Sequence, residues 1–188
     1  MLYVDLHVTD GAEFEHDISY NVAPTLAGDA QLIPSAVALR DELLRKVAAQ
    51  GSLPLDFYPA FVRDDDPQSG FAVGVSPIRF SQEYWAARNR LGVLVETHSW
   101  KDYPTRVRIT RNSIIAMMEL AAANGNDWLK AVHAADQRAA QLGGSNVALV
   151  FDNNDHTTMI DFRGYEYTRE PSTIWRSEER RVGKECRS

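Results

Sequence analysis

His7 and Glu96 are the residues of this chain best placed to do chemistry. Each stands at the carboxyl end of a segment that reads as a buried strand. Leu2, Val4, Leu6 and Val8 alternate with Tyr3, Asp5 and His7, and Leu91-Gly-Val-Leu-Val95 is a near-continuous apolar run that ends at Glu96. In open α/β sheets ligands bind beyond the carboxyl ends of the strands. An imidazole is the commonest transition-metal ligand, and a carboxylate in a partly desolvated cleft can serve as general base toward a metal-bound water. Together they point to hydrolysis. Asp5 lies on the same side of its strand as His7 and is placed to orient the imidazole from behind.

These residues need a sheet to hold them. The first strand ends at Thr9-Asp10-Gly11, and residues 11 to 31, rich in Gly, Ala, Asp and Asn, read as a long excursion. Pro34 and Ser35 open a helix to about Gln50, with Val37, Leu39, Leu43, Leu44 and Val47 as its apolar stripe and Gly51 as its stop. Asp56 to Val62 and Phe71 to Val75 read as extended, around a polar loop from Asp64 to Gly70, and Ser81 caps a short helix carrying Glu83, Tyr84 and Trp85. After the apolar strand a helix is expected from Pro104 to about Asn124, with Val107, Ile114, Met118 and Ala122 near helical spacing. A second helix follows to about Leu142, the two being separated at Asn124-Gly125. Met117 and Met118 read as core. Val147 to Phe151, Thr158 to Ile160 and Tyr165 to Tyr167 are expected as short antiparallel strands. The alternation argues an α/β fold, a mostly parallel or mixed sheet flanked by helices, with a small β appendage.

The 188 residues carry 20 Lys and Arg against 26 Asp and Glu, a net charge of −6 that disfavours a nucleic-acid partner. Charged or polar side chains interrupt every apolar run well before the roughly 18 to 20 residues of a spanning helix, so no membrane partner is expected. Residues 176–188 have no periodicity and resemble the conceptual translation of a short-read sequencing adapter, so they read as an artefactual tail that packs against nothing. Removing its five basic and three acidic residues leaves 15 against 23, a net −8, and takes away Cys186, the single cysteine. The remainder then has no thiol to report on compartment, which stays open, secreted or periplasmic placement being compatible.

Tyr3-Val-Asp-Leu-His-Val-Thr-Asp-Gly-Ala12 and, more specifically, Arg88-Asn-Arg-Leu-Gly-Val-Leu-Val-Glu-Thr-His-Ser-Trp-Lys-Asp-Tyr-Pro-Thr-Arg-Val107 resemble two motif regions of bacterial zinc carboxypeptidases of the carboxypeptidase A-like family. The resemblance covers about residues 2 to 142. Asp161-Phe-Arg-Gly-Tyr-Glu-Tyr-Thr-Arg-Glu170 resembles the β extension of some bacterial members. It implies residues 1–145 as the carboxyl-terminal part of a catalytic domain and 146–175 as the start of the extension. It also implies a zinc cofactor, with His7 as the third zinc ligand and Glu96, 89 positions on, as the general base that deprotonates zinc-bound water and hands the proton to the leaving amine. Tyr84, in the segment that lines the family's substrate pocket, is carried over as a substrate contact, and Trp85 as core. The implied substrate is a peptide or a small amide.

One departure is large. The family's first two zinc ligands are His-x-x-Glu, whereas His7, His16, His98, His133 and His156 are followed three on by Asp10, Ser19, Lys101, Asp136 and Met159. The family places that pair amino-terminal to the third ligand, where this chain has six residues, and the expectation is truncation, with an inactive fragment. The alternatives are an amino-acid deacylase of the same superfamily and a non-catalytic binding module. His98 either reaches the site or holds the strand end by hydrogen bonds. Asp64-Asp65-Asp66 and Asp152-Asn-Asn-Asp155 read as a solvated loop and a turn rather than calcium sites, and no Gly-x-Ser-x-Gly, phosphate loop or dinucleotide fingerprint is present.

Overall fold

The computed structural model describes residues 1–9, 13–63, 66–171 and 178–182, with residues 169–171 and 178–182 in backbone only. Strands β1 (Leu2–Thr9), β2 (Ile18–Ala23) and β3 (Pro54–Leu55), helices α1 (Ile33–Ala49) and α2 (Ser81–Ala87), strand β4 (Leu91–His98) and helix α3 (Tyr103–Ala139) build the body. The sheet order is β1-β4-β2-β3. β4 pairs in parallel with β1 and antiparallel with β2, and β2 pairs in parallel with β3. The fold is therefore α/β, a four-stranded mixed sheet flanked by helices.

The strand period sorts the sheet into two faces. Ile18, Tyr20 and Val22 of β2 and Leu91, Val93 and Val95 of β4 share one face, and they form the core with Leu39, Leu43 and Val47 of α1 and Ile109, Met117, Leu120 and Trp128 of α3. Tyr20 reaches across this layer to Ser113, whose hydroxyl donates in turn to the Ile109 carbonyl at 2.8 Å. Asp29 joins the ends of α1 and α3: it accepts from Arg138 at 2.7 and 2.6 Å and from the Leu32 N–H at 3.1 Å. The opposite face carries Tyr3, Asp5 and His7, Gly92, Leu94 and Glu96, and Ser19 and Asn21. α2 crosses its amino-terminal end, where Gly92 lets the Gln82 backbone approach and Trp85 stacks on Tyr3 at 5.3 Å.

Several expectations are corrected. The excursion at residues 11 to 31 contains β2, whose Ile18, Tyr20 and Val22 alternate into the core. α3 is one helix of 37 residues that runs straight through Asn124-Gly125, because Leu120, Trp128 and Val132 pack into one core on either side of that point. Its buried stripe is Ile109, Ser113, Ala116, Met117 and Leu120, whereas Val107, Ile114 and Met118 are exposed. Ser81 is the first residue of α2 and makes no cap, Phe80 holding that position. Residues 71 to 75 form only an isolated bridge, Phe61 to Phe71. Residues 147–151 and 158–160 carry no strand. The appendage is instead a two-stranded antiparallel ribbon of β5 (Tyr167–Pro171) and β6 (Glu178–Val182), so the tail does not lack partners altogether. Asp10, Asp64, Asp65 and residues 172–177 and 183–188 lie outside the described residues. No helix among the described residues is long and apolar enough to cross a membrane.

Candidate functional site

Parallel pairing sets His7 directly beside Glu96, and the two side chains leave the same face of the sheet. His7 Nδ1 is 3.9 Å from Glu96 Oε1. The two residues differ in exposure: the Glu96 side chain is 9% exposed and that of His7 52%. A carboxylate so enclosed keeps its interactions strong, while the imidazole stays open to a ligand. On the far side of the ring Asp5 Oδ1 lies 3.2 Å from Nε2. Ser81, at the start of α2, donates its hydroxyl to Asp5 Oδ2 at 2.5 Å and fixes that carboxylate. A carboxylate beside Nε2 favours the tautomer protonated there, which leaves the Nδ1 lone pair on the side of Glu96. The Thr97 hydroxyl donates to the His7 carbonyl at 3.2 Å and ties the two strand ends together.

Asp5, His7, Ser81 and Glu96 line a cavity of ≈ 700 Å³ roofed by residues of the 56–83 region. Sequence reasoning missed most of that roof. Phe57 and Tyr58 supply aromatic wall, Arg40 and Arg79 supply positive charge, and Glu83 supplies another carboxyl. Burial pushes the Glu83 carboxyl above its ordinary range, against a smaller opposing influence from the Ser76 N–H. The only signal in the sequence was Glu83's place in the first turn of a short helix, which says nothing of the direction it faces.

Tyr84 is not part of this cavity. The residue is 47% exposed, and its ring packs edge-on against Trp85 at 5.5 Å and lies 5.9 Å from the Arg88 guanidinium. One position along a helix turns a side chain by about 100°, which is why Glu83 enters the cavity and Tyr84 leaves it. The aromatic residues that line the cavity are Phe57, Tyr58 and Phe80.

His98 is resolved in favour of the hydrogen-bonding role. It is fully buried, its Nδ1–H donates to the His16 carbonyl at 2.6 Å and its Nε2 accepts from the Ser19 hydroxyl at 2.8 Å. Burial brings its pKa down to about 4, so the ring is neutral and locks the end of β4 to the start of β2 beside Glu96.

A catalytic zinc takes three protein ligands and a water. Among the described residues no group of three or more His, Cys, Asp or Glu is arranged to hold a metal ion. The donor set among the described residues is therefore smaller than a catalytic zinc takes. Comparison of the chain with models of protein families, with curated proteins and with solved structures finds no match.

Proposed function

We propose that this chain supplies one metal ligand, His7, and the general base, Glu96, of a zinc carboxypeptidase-like hydrolase acting on a peptide or a small amide. The observation that carries the reading is their register: two residues 89 positions apart stand side by side on adjacent parallel strands, facing one cavity, with Nδ1 and Oε1 3.9 Å apart. In this reading Glu96 takes a proton from the attacking water and returns it to the departing amine, a role that suits an enclosed carboxylate. Asp5 and Ser81 keep the His7 ring oriented. Arg40 and Arg79 give the cavity cationic groups for a substrate carboxylate.

The reading assigns the other two ligands to a His-x-x-Glu pair outside this chain, and that division is directly testable. Zinc content by metal analysis and hydrolysis of a blocked dipeptide are measured for this chain alone and for the product of its gene extended upstream. The chain alone should hold zinc weakly, below one equivalent, and show no turnover; the extended protein should hold one zinc and turn over. Stoichiometric zinc with turnover in the chain alone would refute the division of ligands. Zinc without turnover in the extended protein would favour a binding module that keeps the fold without the chemistry.

A further inference from the structure

After α3 the chain runs from residue 143 to 163 without helix or strand, and residues 141–161 are all exposed. Leu149 and Val150 are each 82% exposed and Met159 is 96% exposed. Apolar burial does not hold this stretch down along its length. It is held at two places instead. At its far end the Phe162 ring sits in a socket of Phe14, His16 and Phe71, with centroids 5.1, 4.9 and 4.6 Å away. The ring lies within 29° of parallel to the imidazole of His16. The backbone follows the ring, the Glu15 N–H donating to the Arg163 carbonyl at 3.0 Å and Phe14 forming a bridge with Gly164. In its middle, Asn153 belongs to the wall of the cavity that holds His7 and Glu96. Its side chain lies over Gly74 so closely that a Cβ there would meet Asn153 Oδ1 at 2.1 Å.

We propose that residues 143–163 form a strap that closes one side of the His7–Glu96 cavity while His16 is neutral, and that proton uptake by His16 detaches it. The strap needs only the geometry of the cavity, so it stands apart from the hydrolase reading. His16 is 5% exposed, and its Nδ1 has no hydrogen-bond partner among the described residues. A proton there would create a buried cationic donor with nothing to accept from it. The charges that face the ring come from every side: Arg163 of the strap and Lys101 beyond β4 oppose a positive imidazole, while Glu15 and Asp17 on its own segment favour one. His98, bonded to the His16 carbonyl, is neutral. Burial outweighs these and holds His16 below the ordinary imidazole range.

Lifting Phe162 uncovers one face of the ring to water and removes Arg163 from its side, returning His16 toward its ordinary value of 6.5. The detached form therefore binds the proton more tightly. Docking is at full strength above pH 6.5 and weakens below it by up to about tenfold per pH unit, until the docked His16 itself titrates.

Hydrogen–deuterium exchange of the Glu15 amide reads the strap directly, because its acceptor is the Arg163 carbonyl. Protection of that amide, corrected for intrinsic exchange, is compared at about pH 7.5 and about pH 5 in the full chain, in His16→Phe and in Phe162→Ala. The wild type should lose protection at the lower pH, by up to about 30-fold. His16→Phe, which keeps a ring against Phe162 but cannot take a proton, should hold its protection, and Phe162→Ala should be unprotected at both. Equal protection of the wild type at the two pH values, or the same loss in His16→Phe, overturns the proposal. An NMR titration of His16 in the wild type needs no variant: its midpoint should lie below 6.5, inside the window over which Glu15 protection falls, and a midpoint at or above 6.5 overturns the proposal equally.

Discussion

Replacing Gly92 with Ala tests the contact that seats α2 over the site. An ideal Cβ at position 92 would stand 2.6 Å from the Gln82 carbonyl oxygen and 2.8 Å from the Gln82 Cα. Both are backbone atoms, and no rotamer change can move them. Ordinary Cβ contacts begin near 3.4 Å, so α2 must retreat from β4 by roughly 0.8 Å at that point. Overpacking of this kind costs about 1–3 kcal/mol, and in a chain of this size each kcal/mol lowers Tm by about 2–4 °C. The expected fall is about 2–12 °C in thermal unfolding followed by circular dichroism. Gly143→Ala, where nothing lies within 4 Å of the added carbon, is the control and should leave Tm where it was. The retreat also draws the Ser81 hydroxyl away from Asp5, which it reaches at 2.5 Å, so His7 should lose its fixed orientation. Gly92→Ala with a Tm within about 1 °C of the wild type would refute the packing argument.

Gly125→Ala probes the continuity of α3: the added carbon meets nothing within 4 Å, so a residue inside one unbroken helix should gain about 0.5–1 kcal/mol in denaturant unfolding. No gain would mean that the chain leaves helical geometry there. The neutral His98 makes stability depend on pH. Its pKa falls from 6.5 in the unfolded chain to about 4 in the fold, so its contribution is complete above pH 6.5 and is lost as pH drops toward 4. Urea midpoints across that window should show the wild type losing about 3 kcal/mol more than His98→Gln, and parallel losses would show that another group carries the acid sensitivity.

What the sequence displayed and what it hid have physical causes. β1, α1 and β4 were legible because their apolar periodicity is undisturbed, and a parallel pairing of β1 with β4 followed from β4 being apolar on both faces. β2 was hidden among Asp, Asn and Gly, although Ile18, Tyr20 and Val22 alternate and are all buried. In α3 the true stripe is built partly from the small residues Ser113 and Ala116, so the larger exposed row of Val107, Ile114 and Met118 drew the eye. Asn124-Gly125-Asn126 has stop chemistry that tertiary packing overrides, through Leu120 and Trp128 on either side. The strand-end rule singled out His7 and Glu96 and strand alternation added Asp5, and all three line one cavity. The roof residues Tyr58, Arg79 and Glu83 come from loops and one short helix, where the direction of a side chain is set by contacts distant in sequence.

The central claim, that His7 is a ligand and Glu96 a base at one site, is tested most directly by separating metal from turnover. Zinc content and dipeptide hydrolysis are measured side by side for His7→Ala and Glu96→Gln in the product of the gene extended upstream, which the proposed function requires to carry a His-x-x-Glu pair. His7→Ala should lose the zinc and the activity together, and Glu96→Gln should keep the zinc and lose the activity. Zinc retained in His7→Ala, or turnover retained in Glu96→Gln, would contradict the account.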